Sequence, residues 1–291
     1  MILVWGARTD TPIERVLESL EQRGADVFHI DEIGLTTLQY NIVFTSSSPA
    51  GWVEAGGRRI SVDDFGGIYL RPGEPAAGVA RRAAMVLLAL SSSLRGVVVN
   101  RPAAGRSNAS KPYQLGLIAQ AGFQVPDTLV TTDPAAARAF LREHGRLVYK
   151  SLSGIRSIVA TLDASDEARL DNVRTGPVQL QAYVPGLDVR VHIVGEHWFA
   201  CSVESEAADY RYAGVAGTTA ELSAFQLPEH VGRQLVALVH GMNLLVAGVD
   251  LRRTPDGSWI CFEVNPSPGF PWYEEATGHQ IAEAIANLLL S

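Results

Sequence analysis

The stretch LLVAGVDLRRTPDGSWICFEVNPSPG, residues 244–269, constrains this chain more than any other. Two largely apolar runs flank Asp256 and Gly257, the pair that best supports a two-residue type I′ turn, so the segment reads as a β-hairpin. With Pro255 and Ser258 bracketing the turn, Arg253 pairs with Ile260, Leu251 with Phe262, and Asp250 with Glu263. Side chains alternate faces along a strand. Val249, Leu251, Ile260, Phe262 and Val264 then form one apolar face, and Asp250, Glu263 and Asn265 gather on the other. Directly opposed like charges destabilise a sheet by a few tenths to about 1 kcal/mol, so the pair needs a reason. A divalent cation supplies one. Three oxygen donors suit Mg²⁺, a hard ion often held by one or two carboxylates together with substrate phosphates. The plainer alternative is a solvated acidic face; the continuous apolar face behind it and the abrupt stop at NPSPG favour the metal.

At 291 residues the chain is long enough for two or three compact units. Cys201 and Cys261 are its only cysteines, without a CxxC or a Cys/His cluster, so neither a zinc site nor a disulfide framework is indicated. The longest apolar run, AAMVLLAL, is too short to cross a bilayer, and MILVWGARTD carries no basic leader, so the expectation is a soluble cytoplasmic protein. A formal net charge of −7 argues against a broad nucleic-acid footprint and leaves room for a local cationic cleft.

Periodicity predicts an α/β N-terminal segment over residues 1–102. It starts with a strand at Ile2–Trp5, then a helix opened by TPIE with Thr11 as N-cap and Glu14 closing a capping box, and a strand DVFHI. A helix around VARRAAMVLLALSSSL and a strand GVVVN follow, and RPAAGRSNAS reads as a linker. Residues 103–180 read as a small α+β lid: a helix from Lys111, a strand VPDTLVT, a helix opened by Asp133 and Pro134, strands RLVYK and IVATL, and a polar helix near SDEARLDNV. Residues 181–291 carry the strands DVRVHIVG and HWFACSV, a helix after Pro228, the hairpin, and a last helix from His279.

Several cations stand where charge needs explaining. Lys111 opens a helix, where a cation is disfavoured by roughly 0.3–1 kcal/mol unless an anion is near; phosphate is a natural partner, a solvated linker lysine the alternative. Lys150 ends a strand before SLSGIRS, where the backbone around Ser153 and Gly154 can cradle phosphate oxygens, an ordinary loop being the plainer reading. In QLQAYVPGLDVRVHIVG a strand runs into a turn. There the backbone of Gln181 and Tyr183 can meet a flat heterocycle and Asp188 a ribose hydroxyl, with Arg190 on the same face; an exposed ion pair is the bland alternative. Arg211 can offer its fork to phosphate. Arg71 and Arg101, each before a proline, are candidates for holding a substrate carboxylate. No Walker A, GxGxxG, GxSxG or HExxH pattern occurs, and the histidines are scattered.

Taken in order, these residues resemble the ATP-grasp superfamily of carboxylate-activating ligases. EVNPSPG, with the following TGHQIA, resembles the C-terminal segment of the ribosomal-protein and cofactor glutamate ligases. SKPYQLGLIAQAGFQVPDTLVTTDP, LVYKSLSG and the DYR of Tyr210 and Arg211 resemble the microviridin-type (graspetide) peptide ligases. The resemblance implies a three-part ATP-grasp fold of the α/β and α+β classes, with ATP between the middle and C-terminal parts. It places Lys111 and Lys150 on the phosphates, Gln181, Ala182, Tyr183 and Val184 at the adenine hinge, and Asp188 at the ribose. Arg190 and Arg211 would face the phosphates or the acyl-phosphate, and Asp250, Glu263 and Asn265 would hold Mg²⁺, with Mn²⁺ as an alternative. Ala182 stands where many relatives carry Glu, and the loop after Lys150 has one glycine where many have several.

The implied chemistry is attack of a substrate carboxylate on the γ-phosphoryl group, then displacement of phosphate by an amine or hydroxyl nucleophile, with Lys150, Arg190 and Arg211 neutralising charge. The partners implied are a small-molecule or peptide carboxylate and a second copy of the chain, with no nucleic acid and no membrane. Two rivals of other kinds are a non-catalytic ATP-binding scaffold and a phosphotransferase that releases a phosphorylated product.

Overall fold

The computed structural model describes residues 1–46, 48–73, 77–150, 159–205 and 219–291. Its start follows the periodicity: β1 (Ile2–Trp5), α1 (Thr11–Gln22) and β2 (Val27–Ile30) make a parallel βαβ unit. The helix begins one residue differently. Asp10 is its N-cap, without a side-chain capping bond, because Asp10 Oδ2 accepts from Arg71 Nε at 2.7 Å. A tertiary ion pair holds the cap carboxylate, and the box expected from Thr11 and Glu14 does not form.

Next come α2 (Glu32–Thr37) and an antiparallel sheet of β3 (Gln39–Phe44), β4 (Pro49–Ala55) and β5 (Arg58–Ser61), which the periodicity did not predict. The strand β6 (Gly67–Leu70), helix α3 (Val79–Ser93) and strand β7 (Val97–Val99) complete a parallel sheet of order β2-β1-β6-β7. Arg101, a candidate for a substrate carboxylate, is engaged within the chain. It donates to the carbonyls of Ser91, Ser92, Leu94 and Gly96 and so satisfies the open C-terminus of α3. The expected linker is also structured, as a 3₁₀ turn at Ala104–Ala109 with Ser107 buried.

The middle of the chain contains α4 (Lys111–Gln120), β8 (Thr128–Thr131), α5 (Pro134–His144), β9 (Leu147–Lys150), β10 (Val159–Leu162) and β11 (Val178–Ala182). Its strands form an antiparallel sheet of order β10-β9-β11-β8. The polar helix expected near residue 165 is a 3₁₀ segment, Ala164–Thr175, with the capping box at Asp163 and Asp166. Then follow β12 (Leu187–Val194), β13 (His197–Ser205), β14 (Ala220–Ala224), α6 (Glu229–Gly241), β15 (Val246–Arg253), β16 (Trp259–Asn265), α7 (Pro271–Thr277) and α8 (Ile281–Leu290). The sheet order is β14-β13-β12-β15-β16. No described helix is long and apolar enough to cross a membrane.

Leu115 and Ile118 of α4 pack into the core of this last sheet with Val189, Val191, Val249 and Val264. Ile281, Ile285 and Leu289 of α8 pack with Ile2, Val4 and Leu17 of the N-terminal unit. The core therefore reaches across positions 102 and 180.

The hairpin forms with two corrections. Gly257 N donates to Thr254 O at 2.9 Å and Thr254 N to Ser258 O at 3.0 Å. With Gly257 at φ +88°, Pro255, Asp256 and Gly257 make a three-residue connection ending in a left-handed glycine rather than a type I′ turn. Pro255 dictates this, since its ring holds φ near the value for the first corner of a type I turn. The odd loop shifts the register. Asp250 pairs with Glu263 as expected, but a bulge follows, and Leu251 pairs with Cys261, Arg252 with Ile260 and Arg253 with Trp259. Cys261 enters the core. Phe262 leaves the apolar face and lies half-buried, with Arg252 5.3 Å and Lys150 5.4 Å from its ring centre.

Two residues just after the N-terminal strands hold the segment that leaves β16. Asn100 Nδ2 donates to Val246 O (2.7 Å) and Pro266 O (2.6 Å), and its Oδ1 accepts from Leu245 N (2.8 Å) and Val246 N (3.1 Å). Arg71 Nη1 donates to Ser267 Oγ and Pro268 O, both at 2.9 Å. Truncating Asn100 strands two amides and two carbonyls, so Asn100→Ala should lower the unfolding free energy by about 2–4 kcal/mol in denaturant titrations.

Candidate active site

Three cross-strand rows cross the last sheet on the face opposite its core. Asp188 stands beside Arg252; Arg190, Asp250 and Glu263 form a second row; His192, Gly248 and Asn265 form a third. Val189, Val191 and Ile193, between them in sequence, are buried on the other face. Strand alternation thus sorts one peptide into a greasy side and a polar side.

Each carboxylate of the middle row has a protein cation. Arg190 Nη1 lies 2.7 Å from Asp250 Oδ1, and Lys111 Nζ lies 2.8 Å from Glu263 Oε2. The opposition of Asp250 and Glu263 therefore has a cause other than a metal, which corrects the argument from charge alone. Lys111 is the first residue of α4, and the anion that offsets its position is Glu263. Gly248 makes room for the row. A Cβ there would sit 2.0 Å from Arg190 Nη2 and 2.8 Å from Pro268 Cβ.

In the neighbouring row Arg252 donates to both Asp188 oxygens at 2.8 Å, and its Nη1 reaches Val184 O at 2.6 Å. Asp188 anchors Arg252 by a two-pronged ion pair. Burial pushes its carboxyl above the usual range, against the pull of Arg252. Arg146 and Arg252 also stack on Tyr183, 4.1 and 5.8 Å from its ring centre.

The expected hinge residues differ in how their backbones are engaged. Gln181 is buried and paired with Thr128 on one side and Val148 on the other, so its backbone belongs to the sheet. The Ala182 amide donates to Asp127 O and the Tyr183 amide to Arg146 O, each at 2.9 Å. Among the described residues, no partner is present for the Tyr183 carbonyl or the Val184 amide. Two further acceptors are open among the described residues. The buried Oε1 atoms of Gln179 and Gln181 make no hydrogen bond and lie on the face of β11 opposite Leu180. Orphaned buried acceptors of this kind fit a ligand that brings donors.

Among the described residues no three His, Cys, Asp or Glu side chains gather as a metal cluster. Asp250, Glu263 and Asn265 supply carboxylate and amide oxygens only, which is a hard-cation set. Asn265 Oδ1 already accepts from Ser267 N at 2.9 Å. Ser153, Gly154 and Arg211, named from the sequence, lie outside the described residues. Arg71 is engaged with Asp10, Ser267 and Pro268 rather than standing open for a substrate.

Sequence reasoning missed Arg252, Phe262 and Gln114. Arg252 was legible, two residues from Asp250 on the same strand face. Gln114 also carried a signal, three residues after Lys111 on one helix face. It is buried, donates to Val264 O at 2.8 Å and accepts from Val264 N at 3.0 Å. Phe262 carried none, because the bulge that turns it depends on the loop.

A model of the RimK-like ATP-grasp domain matches residues 108–289, well over half of the chain. The chain belongs to that family. This ATP-grasp chain is similar to a probable alpha-L-glutamate ligase of Cellvibrio japonicus, with 29% identity over 283 residues covering 93% of this chain and 88% of that protein. Its fold is similar to that of the macrocyclase MdnC of Microcystis aeruginosa, solved with its precursor peptide MdnA, at a TM-score of 0.82 and 22% identity over the whole of both chains. It is equally similar to the ATP-grasp ligase PsnB, solved with a phosphomimetic variant of a minimal precursor, Mg and ADP. That TM-score is 0.82 at 25% identity, covering 99% of this chain and 97% of PsnB. The likeness to these structures therefore extends over the N-terminal sheets as well.

His192 gives the site a pH signature. Its Nε2 lies 3.1 Å from Gly269 O, and burial, with the Arg190 charge, lowers its pKa from 6.5 to about 3. Between those values the unfolded chain binds a proton that the native chain does not, so stability falls as pH drops through that window. Unfolding free energy measured from pH 7 to pH 4 should decline, and His192→Phe should flatten the part of the slope due to this residue.

Proposed function

We propose that this chain is an ATP- and Mg²⁺-dependent ligase that joins a carboxylate of a peptide substrate to an amine or hydroxyl nucleophile. One observation carries the reading. The Arg190, Asp250 and Glu263 row, closed at its outer end by Lys111, sets paired carboxylates and cations on one rigid face of the C-terminal sheet.

ATP fits the groups left open around that face. The Val184 amide and Tyr183 carbonyl offer the donor and acceptor pair that an adenine edge requires, and the Gln181 Oε1 offers a further acceptor. Phe262 supplies an apolar ring for the base, flanked by Lys150 and Arg252. Arg252, held by Asp188, and Asp188 itself stand where a ribose would follow. Lys111 and Lys150 neutralise the phosphates. Asp250, Glu263 and Asn265 would hold Mg²⁺, which would offset the charge that develops on the phosphates. On nucleotide binding Lys111 would exchange Glu263 for phosphate.

The chemistry needs no protein nucleophile. The substrate carboxylate attacks the γ-phosphorus and ADP departs; the nucleophile then attacks the acyl carbon and inorganic phosphate departs with the bonding electrons. Arg190 and Lys150 act by position and charge. The sheet of β8–β11 would serve as the lid that keeps water from the acyl-phosphate, within a proposed division of the chain at residues 102 and 180.

A peptide substrate is favoured because MdnC and PsnB, both similar to this chain from end to end, were solved with their precursors. Addition of a single glutamate is the second reading, supported by the name of the C. japonicus relative. Peptide plus Mg·ATP, with and without free glutamate, followed by mass spectrometry, separates them. Loss of one water per bond marks an internal link, gain of a glutamyl residue marks glutamate addition, and a phosphorylated end product marks a phosphotransferase. Glu263→Ala and Lys150→Ala should each cut ADP release by about 10²- to 10³-fold. Failure to release ADP with every carboxylate and nucleophile pair offered would leave a nucleotide-binding scaffold.

A further inference from the structure

We infer that Gln114 is a positioning residue for the metal ligands Glu263 and Asn265; this rests on the ligand assignment above. Val264 lies between those two residues, and its own side chain is buried in the core. β16 is an edge strand, so the outward N–H and C=O of Val264 have no neighbouring strand to bond. The Gln114 side chain takes both, accepting from Val264 N at 3.0 Å and donating to Val264 O at 2.8 Å. A single side-chain amide thus does what a sixth strand would do at this point. It fixes the peptide planes on either side of Val264, and with them the directions in which Glu263 and Asn265 leave the backbone.

The helix that carries Gln114 also carries Lys111, three residues earlier and on the same face. That lysine meets Glu263. α4 therefore grips the ligand segment twice, once through the backbone of Val264 and once through the Glu263 carboxylate. Ser107 Oγ, 3.4 Å from Gln114 Nε2, braces the amide, while Leu115 and Ile118 seat the helix in the core. Removing the amide while keeping its volume would leave the helix packed and the two ligand side chains free to rotate about the strand.

The test is calorimetric titration of Mg²⁺ into the full chain with a non-hydrolysable ATP analogue, run beside thermal unfolding. Gln114→Met conserves volume and deletes both bonds. Ile118→Ala, on the same helix, loosens packing and keeps both bonds to Val264, and Glu263→Ala removes a ligand. Outer groups that orient metal ligands typically govern affinity by roughly ten- to a hundredfold, and Gln114→Met should weaken Mg²⁺ binding by that factor while Ile118→Ala leaves it unchanged at a comparable loss of melting temperature. Gln114→Leu also deletes both bonds without adding charge; it should weaken binding in the same direction and replaces Gln114→Met should that variant not fold. Unchanged Mg²⁺ affinity in the Gln114 variants, with binding lost in Glu263→Ala, would overturn the positioning role and leave the ligand assignment standing. Equal losses in Gln114→Met and Ile118→Ala would overturn it as a packing effect. Undiminished Mg²⁺ binding in Glu263→Ala would overturn the ligand assignment, and the positioning role with it.

Discussion

Two carboxylates facing each other across adjacent antiparallel strands are tolerated because each has its own cation. Arg190 reaches Asp250 along the sheet, and Lys111 reaches Glu263 from a helix outside it. Much of the site follows from keeping that row in place. Arg190 needs the space over residue 248, which only a side chain without a Cβ leaves open. Lys111 stands at the positive end of α4, and Glu263 offsets that cost. Taking one partner away would leave a largely buried charge uncompensated, which costs more than the intact pair contributes.

The ligand segment is also tied to the far end of the chain sequence. Asn100 and Arg71, both just past parallel strands of the N-terminal sheet, hold Pro266, Ser267 and Pro268 by three hydrogen bonds, and Asn100 ties the same point to Val246 O of β15. α8 returns the connection by packing on β1 and α1. The N-terminal unit is therefore part of the architecture of the site, whatever it contributes to substrate recognition.

Much of this was legible. Alternation in residues 246–265 placed Asp250, Glu263 and Asn265 on one face, because a strand's period of two is a local property of the backbone. The helices at Lys111 and Pro134 were marked by their own start signals, and the strands at Ile2 and Leu147 by their own composition. The sheet of β3–β5 was not seen, since β3 and β5 are largely exposed and neither β3 nor β4 alternates regularly between buried and open positions.

The amino-acid sequence by itself determined the family-level pattern: which residues carry oxygen and charge, how far apart they stand along a strand, and where helices begin. Tertiary structure decided who meets whom. Whether Lys111 finds phosphate or Glu263, whether Arg71 and Arg101 are open cations or ties to Asp10 and to the end of α3, and whether Phe262 faces the core or the site all depend on contacts between segments distant in sequence or on a bulge set by a proline-led turn. Local periodicity contains no term for such contacts, because their energy exists only once the chain has closed on itself.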